Sequence, residues 1–138
     1  MTFTIQLFLR DTSPVSIESR LAWFHEHHSA TRPLWIVEEA AAVAGWVSFQ
    51  SFYNRPAYQF TAEISIYLHA DFRNRGLGYG VLKHCMNSCA ALGIKTLLGF
   101  IFAHNHPSLN LFMKAGFVEW ANFPDIAEIN GIGRSLKI

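Results

Sequence analysis

Between Asp71 and Glu119 the chain carries no acidic residue, while the same window holds Arg73, Arg75, Lys83, Lys95 and Lys114. The formal net charge of the whole chain is only +1, so the remainder is net acidic and the basic stretch is a local feature. A chain this close to neutral is not expected to be a general nucleic-acid binder, which would be strongly basic throughout. Cysteine is equally scarce. Cys85 and Cys89 stand one helical turn apart on a predicted helix, where a disulfide would be strained. His84 points away from them, and no matching ligand pair stands elsewhere, so the two thiols are expected in the core and no metal is expected. No apolar run reaches the roughly 18 residues that suggest a membrane span. The N-terminus, Met1-Thr2-Phe3-Thr4-Ile5-Gln6, has no basic region leading an apolar core. No signal peptide is therefore read, and the cytoplasm is the default expectation. Repeats and low-complexity tracts are absent too. With 51% hydrophobic and 14% aromatic residues, disorder is excluded and a single domain over residues 1–138 is expected.

What is present is organised around residues 60–93. Phe60, Ala62, Ile64, Ile66 and Leu68 alternate with Thr61, Glu63, Ser65 and Tyr67, which predicts a strand with two distinct faces. The loop His69–Arg75 follows. Gly76, Gly78 and Gly80 then open a predicted helix reaching about Leu92. A glycine-rich turn at a helix start presents free N–H groups and the positive end of the helix dipole, which together suit a phosphate. The plainer alternative is a helix start packed closely on the sheet. Glu63 is unusual in an interior strand, because a buried carboxylate needs partners or a raised pKa. Either its face is solvated, or it pairs with an arginine, or it is an acid–base group.

The rest of the chain predicts further elements. Residues 2–10 alternate as a strand, and Ser13 caps a helix with Pro14 at its first position and an end near His28. Leu34–Glu38 and Val43–Phe52 read as a hairpin, with Gly45 marking a bulge or close packing. The Tyr53–Tyr58 loop either lines a substrate pocket or covers the sheet edge. Ile94–Phe102 is apolar enough for a strand buried on both faces. A helix over Pro107–Lys114, closed by Gly116, precedes strands at Phe117–Ala121, Ile126–Ile129 and Gly133–Ile138. Asn130-Gly131 signals a hairpin turn between the last two.

Three glycine-rich phosphate-binding patterns can be tested. The dinucleotide-binding pattern G-x-G-x-x-G needs a glycine at position 81, which is valine, and an acid some twenty residues on. A P-loop needs G-K-[ST], which does not occur. The third pattern fits. Arg73-Asn74-Arg75-Gly76-Leu77-Gly78 resembles the [QR]-x-x-G-x-[GA] loop of the GCN5-related N-acetyltransferases. Downstream, Asn105-His106-Pro107-Ser108-Leu109-Asn110-Leu111-Phe112-Met113-Lys114-Ala115-Gly116-Phe117 resembles that family's N-x-x-S-x-x-L-[YH]-x-x-x-G-F segment. From about Leu34 onward the chain is most similar to the phosphinothricin and methionine-sulfoximine acetyltransferase group. Trp35–Glu38, Arg55–Tyr58, Glu63–Leu68 and Ala127–Gly131 carry that likeness.

The resemblance implies an α/β (α+β) fold: a mixed, mostly antiparallel twisted sheet flanked by helices, with a splayed central strand pair. It implies transfer of acetyl from acetyl-coenzyme A to the amine of a small acceptor, in a cytoplasmic homodimer with no nucleic-acid or membrane partner. Ile66, Tyr67 and Leu68 would lie against the thioester, with the Leu68 N–H as oxyanion donor. Arg73, Asn74, Arg75, Gly76, Leu77, Gly78, Tyr79 and Gly80 would cradle the pyrophosphate. Asn105 and Ser108 would touch the far side of the cofactor. Glu63 would be the base, and Tyr53 and Tyr58 would meet the acceptor. Two departures stand out. Phe112 occupies the place of a Tyr or His that can protonate the leaving thiolate, and the N-terminal part is about a helix shorter than usual. A cofactor-binding sensor without turnover is the alternative function.

Overall fold

The structure is a computed structural model and describes residues 3–4 and 17–138. The predicted Ser13 cap and Pro14, and most of the strand over 2–10, lie outside the described residues. Strand β1 is Phe3–Thr4 and helix α1 is Ile17–His25. Strands β2 (Leu34–Glu39), β3 (Ala42–Ser51) and β4 (Thr61–Leu68) lead into helix α2 (Leu77–Ser88). Strands β5 (Thr96–Leu98) and β6 (Ile101–Phe102), helix α3 (His106–Ala115) and the hairpin β7 (Asn122–Ile129) and β8 (Ile132–Lys137) complete the chain. One sheet has the order β1-β4-β3-β2, with β5 parallel to β4; the second has the order β6-β8-β7. Every other pairing is antiparallel, as the mixed, mostly antiparallel expectation required.

Two predicted strands are corrected. The apolar run Ile94–Phe102 is not one strand. Thr96–Leu98 pairs with β4, Ile101–Phe102 pairs with β8, and the break falls at Gly99-Phe100. A Cβ on Gly99 would stand 2.6 Å from the Phe112 ring, so this position takes no side chain and the backbone turns away over the ring. The second correction is at Phe117–Ala121. The strand begins only at Asn122 and runs through Pro124 with an irregular register between Phe123 and Ala127. Pro124 is tolerated because β7 is an edge strand.

Alternation on β4 positions everything else. Ala62, Ile64, Ile66 and Leu68 are buried with Val47 and Phe49 of β3, Leu82 and Cys85 of α2, and Phe112 and Ala115 of α3. Each fully buried Ile or Leu contributes about 1.5–3 kcal/mol. Burial pushes the Cys85 thiol up to about 12, with Cys89 adding to the shift, which leaves it a core group. Helix α1 covers the opposite sheet face, where Trp23 meets Trp46 with ring centroids 5.6 Å apart. Gly45 serves close packing: a Cβ there would lie 1.9 Å from the Tyr67 carbonyl oxygen. The register shift of this hairpin sits beside it: from Val37 to Glu38 on β2 the partner moves from Gly45 to Val43, so the extra residue is Ala44 on β3.

Candidate active site

Hydrogen-bond register decides which edge of β4 is open. His69 N donates to Ala44 O at 2.7 Å and Phe52 N to Thr61 O at 3.3 Å. In an antiparallel pair the bonded residues alternate, so odd-numbered residues of β4 direct their backbone groups to β3 and even-numbered ones to the other side. On that other side β5 stops opposite Glu63, and the described residues of β1 pair with Tyr67 and Leu68. Between them the backbone groups of Ile64 and Ile66 face a gap that no strand fills among the described residues. The β5–β6 break opens this gap, and it is the expected splay. Leu68 also faces this edge, opposite Phe3. Its carbonyl accepts from Arg73 Nε and Nη2, both at 3.1 Å. Tyr67 bonds instead toward β3, with its ring stacked on Trp46 at 5.8 Å.

The glycine loop lies at the end of the same strand. Gly76 caps α2 at φ +77°, a left-handed conformation that favours glycine. No side chain caps the helix and its first turn holds no acid. The first helical bond is Gly80 N to Gly76 O at 3.2 Å, which leaves the N–H groups of Leu77, Gly78 and Tyr79 without a partner inside the helix. Gly78 packs closely, since a Cβ there would meet Leu111 at 3.3 Å. Gly80 is different, for a Cβ there meets nothing. Gly80→Ala is therefore expected to stabilise the protein by about 0.5–1 kcal/mol, read as a higher Tm in thermal denaturation. Arg75 is exposed and pairs with Glu39 at 2.9 Å. Asn74, in the left-handed region at φ +59°, completes the turn. Desolvation lowers the pKa of Arg73.

Around the helix α3 start, Asn105 acts as cap: its side-chain oxygen accepts from Ser108 N at 3.3 Å. Ser108 is fully buried, and its Oγ has no hydrogen-bond partner among the described residues. Tyr79 lies under Lys114, with Nζ 4.8 Å from the ring centroid.

Glu63 is 3% exposed, so its face is not solvated. It stands directly opposite Gln50, with Ser65 opposite Ser48 and Tyr67 opposite Trp46 on the same face. His27 of the segment after α1 reaches this row, with Nε2 2.7 Å from Ser48 Oγ. At its far end Phe52 stacks on Phe100 at 6.1 Å, and Tyr53 and Tyr58 meet edge to face at 5.3 Å. Both tyrosines are exposed, in one aromatic cluster beyond Glu63. Sequence reasoning missed His27, Ser48 and Phe100. The period-two row Trp46, Ser48, Gln50 was the available signal for Ser48; nothing local marked the other two. Among the described residues, no group of three or more metal-ligating side chains stands together. A cavity of about 470 Å³ lies on the other flank of β5, lined by residues such as Met86, Leu97, Leu109 and Trp120; it includes neither Glu63 nor the loop over 73–80.

A splayed strand edge, a glycine-capped helix start beyond its end and a buried carboxylate near its beginning thus lie along one strand, β4. The profile of the acetyltransferase (GNAT) family matches residues 2–117. The chain belongs to this family. Like other GNAT proteins it is an acetyltransferase by fold and by sequence. It is 46% identical over 138 residues to YwnH of Bacillus subtilis (strain 168), named provisionally as a phosphinothricin acetyltransferase, covering 99% of this chain and 84% of the relative. The L-amino acid N-acyltransferase MnaT of Escherichia coli (strain K12) is 30% identical over 112 residues, covering 81% of this chain and 65% of that protein. A provisionally named acetyltransferase of Salmonella typhimurium, YncA, solved with its cofactor acetyl-CoA, superposes with a TM-score of 0.83 at 25% identity, covering 92% of this chain and 73% of that one. In this GNAT chain Phe112 is buried, 4.8 Å from the Phe117 ring and against Gly99.

Proposed function

We propose that this acetyltransferase moves the acetyl group of acetyl-CoA onto the amine of a small amino acid or amino-acid analogue, by direct attack of the amine on the thioester. The edge of β4 left open among the described residues, beside an acid-free helix start with no side-chain cap, carries the reading. Its free N–H groups and the two loop arginines are complementary to a pyrophosphate. The edge offers backbone partners to an extended pantetheine arm. Acetyl-CoA, as second substrate, supplies the activated acyl group. Residues 73–80 hold its phosphates, and Ile66, Tyr67 and Leu68 border the thioester. An arm running as far as Leu68 takes the place that Phe3 holds on that edge. Asn105 and Ser108 belong to this site through α3, whose start they form.

Glu63 takes the proton that the amine must lose, and Tyr53 and Tyr58 border the acceptor. The leaving thiolate draws its proton from water, because Phe112 has none to give. The protein acts in the cytoplasm; among the described residues no helix is long and apolar enough to cross a membrane. It works as a homodimer, a state supported by the exposed Met113, Val118 and Trp120 near the C-terminal hairpin. The buried phenyl ring at Phe112 favours one second reading, a cofactor-binding sensor without turnover. Thiol release from acetyl-CoA across a panel of amino acids, with thermal denaturation in parallel, separates the two. Turnover with a small amine supports transfer; a Tm rise with acetyl-CoA and no turnover supports the sensor; neither signal overturns both.

Arg75 leads to a sharper expectation. Its ion pair with Glu39 joins two exposed side chains, a class worth about 0–1 kcal/mol. The pair competes with the pyrophosphate for the same guanidinium. Glu39→Gln is expected to tighten acetyl-CoA binding by up to about fivefold, measured by calorimetric titration.

A further inference from the structure

Phe112 stands at the point where β4 and β5 part. The two strands pair from Thr61 against Thr96 to Glu63 against Leu98, and the residue after β5 is Gly99. The Phe112 ring lies against that glycine: a Cβ added there would be 2.6 Å from Cε2 and 2.9 Å from Cδ2. The ring is 3% exposed and shares one buried cluster with Ile64 and Ile66, the residues whose backbone faces the gap. The same ring also lines the cavity of about 470 Å³ on the other flank of β5, together with Leu97, Leu98, Leu109 and Phe117. That volume lies in the range of small-molecule pockets, roughly 300–1,000 Å³. The charged groups around it are already engaged. Lys137 Nζ pairs with Glu119 at 2.8 Å, and Lys95 Nζ sits over the Phe60 ring at 4.5 Å. With those charges spent, the walls offer contact to an aliphatic chain rather than to a polar head.

We propose that Phe112 sets the acyl-chain limit of the transfer: its ring is the partition between the thioester slot along β4 and the cavity behind β5, an acyl-tail pocket that this side chain keeps closed. This limit rests on the acetyl-transfer reading above. An acetyl group ends at its methyl. A butyryl or hexanoyl group runs on past the carbonyl and, in a slot bounded by Phe112, meets the ring. The ring cannot swing aside, because Gly99 holds one edge and the Phe117 ring packs on it at 4.8 Å between centroids. Trimming the ring joins slot and cavity. The chemistry is the same whichever acyl group is carried: the N–C bond forms, the C–S electron pair leaves on sulfur, and the amine's proton goes to Glu63.

Phe112→Ala and Phe112→Leu test this. Thiol release from acetyl-, butyryl- and hexanoyl-CoA is measured with one amine that the parent acetylates, and kcat/KM is compared within each protein as the acetyl-to-hexanoyl ratio. Thermal denaturation supplies the folding control, because Phe112→Ala empties part of the core and lowers Tm. Phe112→Leu keeps more of that volume and stays readable where alanine does not fold. The parent is expected to favour acetyl over hexanoyl by about a hundredfold or more. Each methylene that gains an apolar wall is worth about fourfold. The ratio should therefore fall by about thirtyfold or more in Phe112→Ala and by about fivefold or more in Phe112→Leu, with butyryl moving the same way. A ring with a purely structural role would cost all three thioesters alike and leave the ratio where it was. A ratio within about threefold of the parent's in every folded variant, or a parent that uses hexanoyl-CoA as readily as acetyl-CoA, overturns the partition while acetyl transfer stands. A parent that releases no thiol from acetyl-CoA with any amine overturns the transfer reading, and the acyl limit falls with it.

Discussion

Glu63→Gln lowers kcat by about 10²- to 10⁴-fold, the range for loss of a general base, and leaves the Tm rise with acetyl-CoA intact. Glutamine keeps the size and shape of the side chain, which matters for a residue 3% exposed between Ala62 and Ile64 in β4. It cannot accept a proton at neutral pH. The loop over residues 73–80 begins beyond the other end of the strand, so the substitution touches neither the glycine-capped helix nor Arg75. Initial-rate kinetics over acceptor concentration separate two roles for the carboxylate. A fall in kcat at constant acceptor KM marks a base; a rise in acceptor KM at constant kcat marks a group that only binds the ammonium. Circular dichroism against temperature supplies the folding control. An unaltered kcat and KM would remove Glu63 from the site.

The parts of this fold that were legible in the sequence are those set by local chemistry. Strict alternation on β4 separated Glu63, Ser65 and Tyr67 from the core residues, and the structure keeps that division. Asn130-Gly131 gave the last hairpin, and both residues adopt positive φ, 51° and 76°. The helix start at Gly76 was readable because glycines and arginines state what a backbone can do without any distant contact. The β5–β6 break was not readable. Ile94–Phe102 is apolar throughout, and an apolar run carries no mark of where its neighbours part company. Gly99 breaks it because of Phe112, thirteen positions later in sequence and 2.6 Å away in space for an added Cβ. His27 illustrates the same limit. Its row partner Ser48 is 21 residues distant, and nothing in the local sequence marks the contact. Hairpin β2–β3 was legible by its two strands rather than by its turn. Ala40 and Ala41 make that turn at φ 51° and 64°, where asparagine and glycine are the usual signal. The fold was therefore clearer than the acceptor site. The face proposed for the acceptor draws on the segment after α1, β3, β4 and the Phe100 turn, and only β4 announced itself.

The largest loss of stability is expected from Gly45→Ala. An added Cβ would lie 1.9 Å from the Tyr67 carbonyl oxygen, 2.9 Å from its carbon and 3.0 Å from the Leu68 Cα. All three are backbone atoms of the adjoining strand, so no side chain can rotate away. β3 and β4 must separate where Gly45 faces Leu68, and the bonded pair Trp46–Tyr67 beside it weakens. Overpacking of a side chain into a core costs about 1–3 kcal/mol. A clash against paired backbone belongs at or above the top of that range, about 3 kcal/mol or more. For a chain of this length that corresponds to a Tm lower by about 10 °C or more. The damage also reaches the edge proposed for the cofactor, because the Leu68 carbonyl is the acceptor of both Arg73 bonds. Gly45→Ala should therefore lose part of the Tm rise with acetyl-CoA at temperatures where it is still folded. Gly80→Ala is the internal comparison: the same added methyl group, on a helix position with open space, shifts Tm upward. A Gly45→Ala protein melting within about 2 °C of the parent would mean that β3 and β4 do not approach as closely as their register requires.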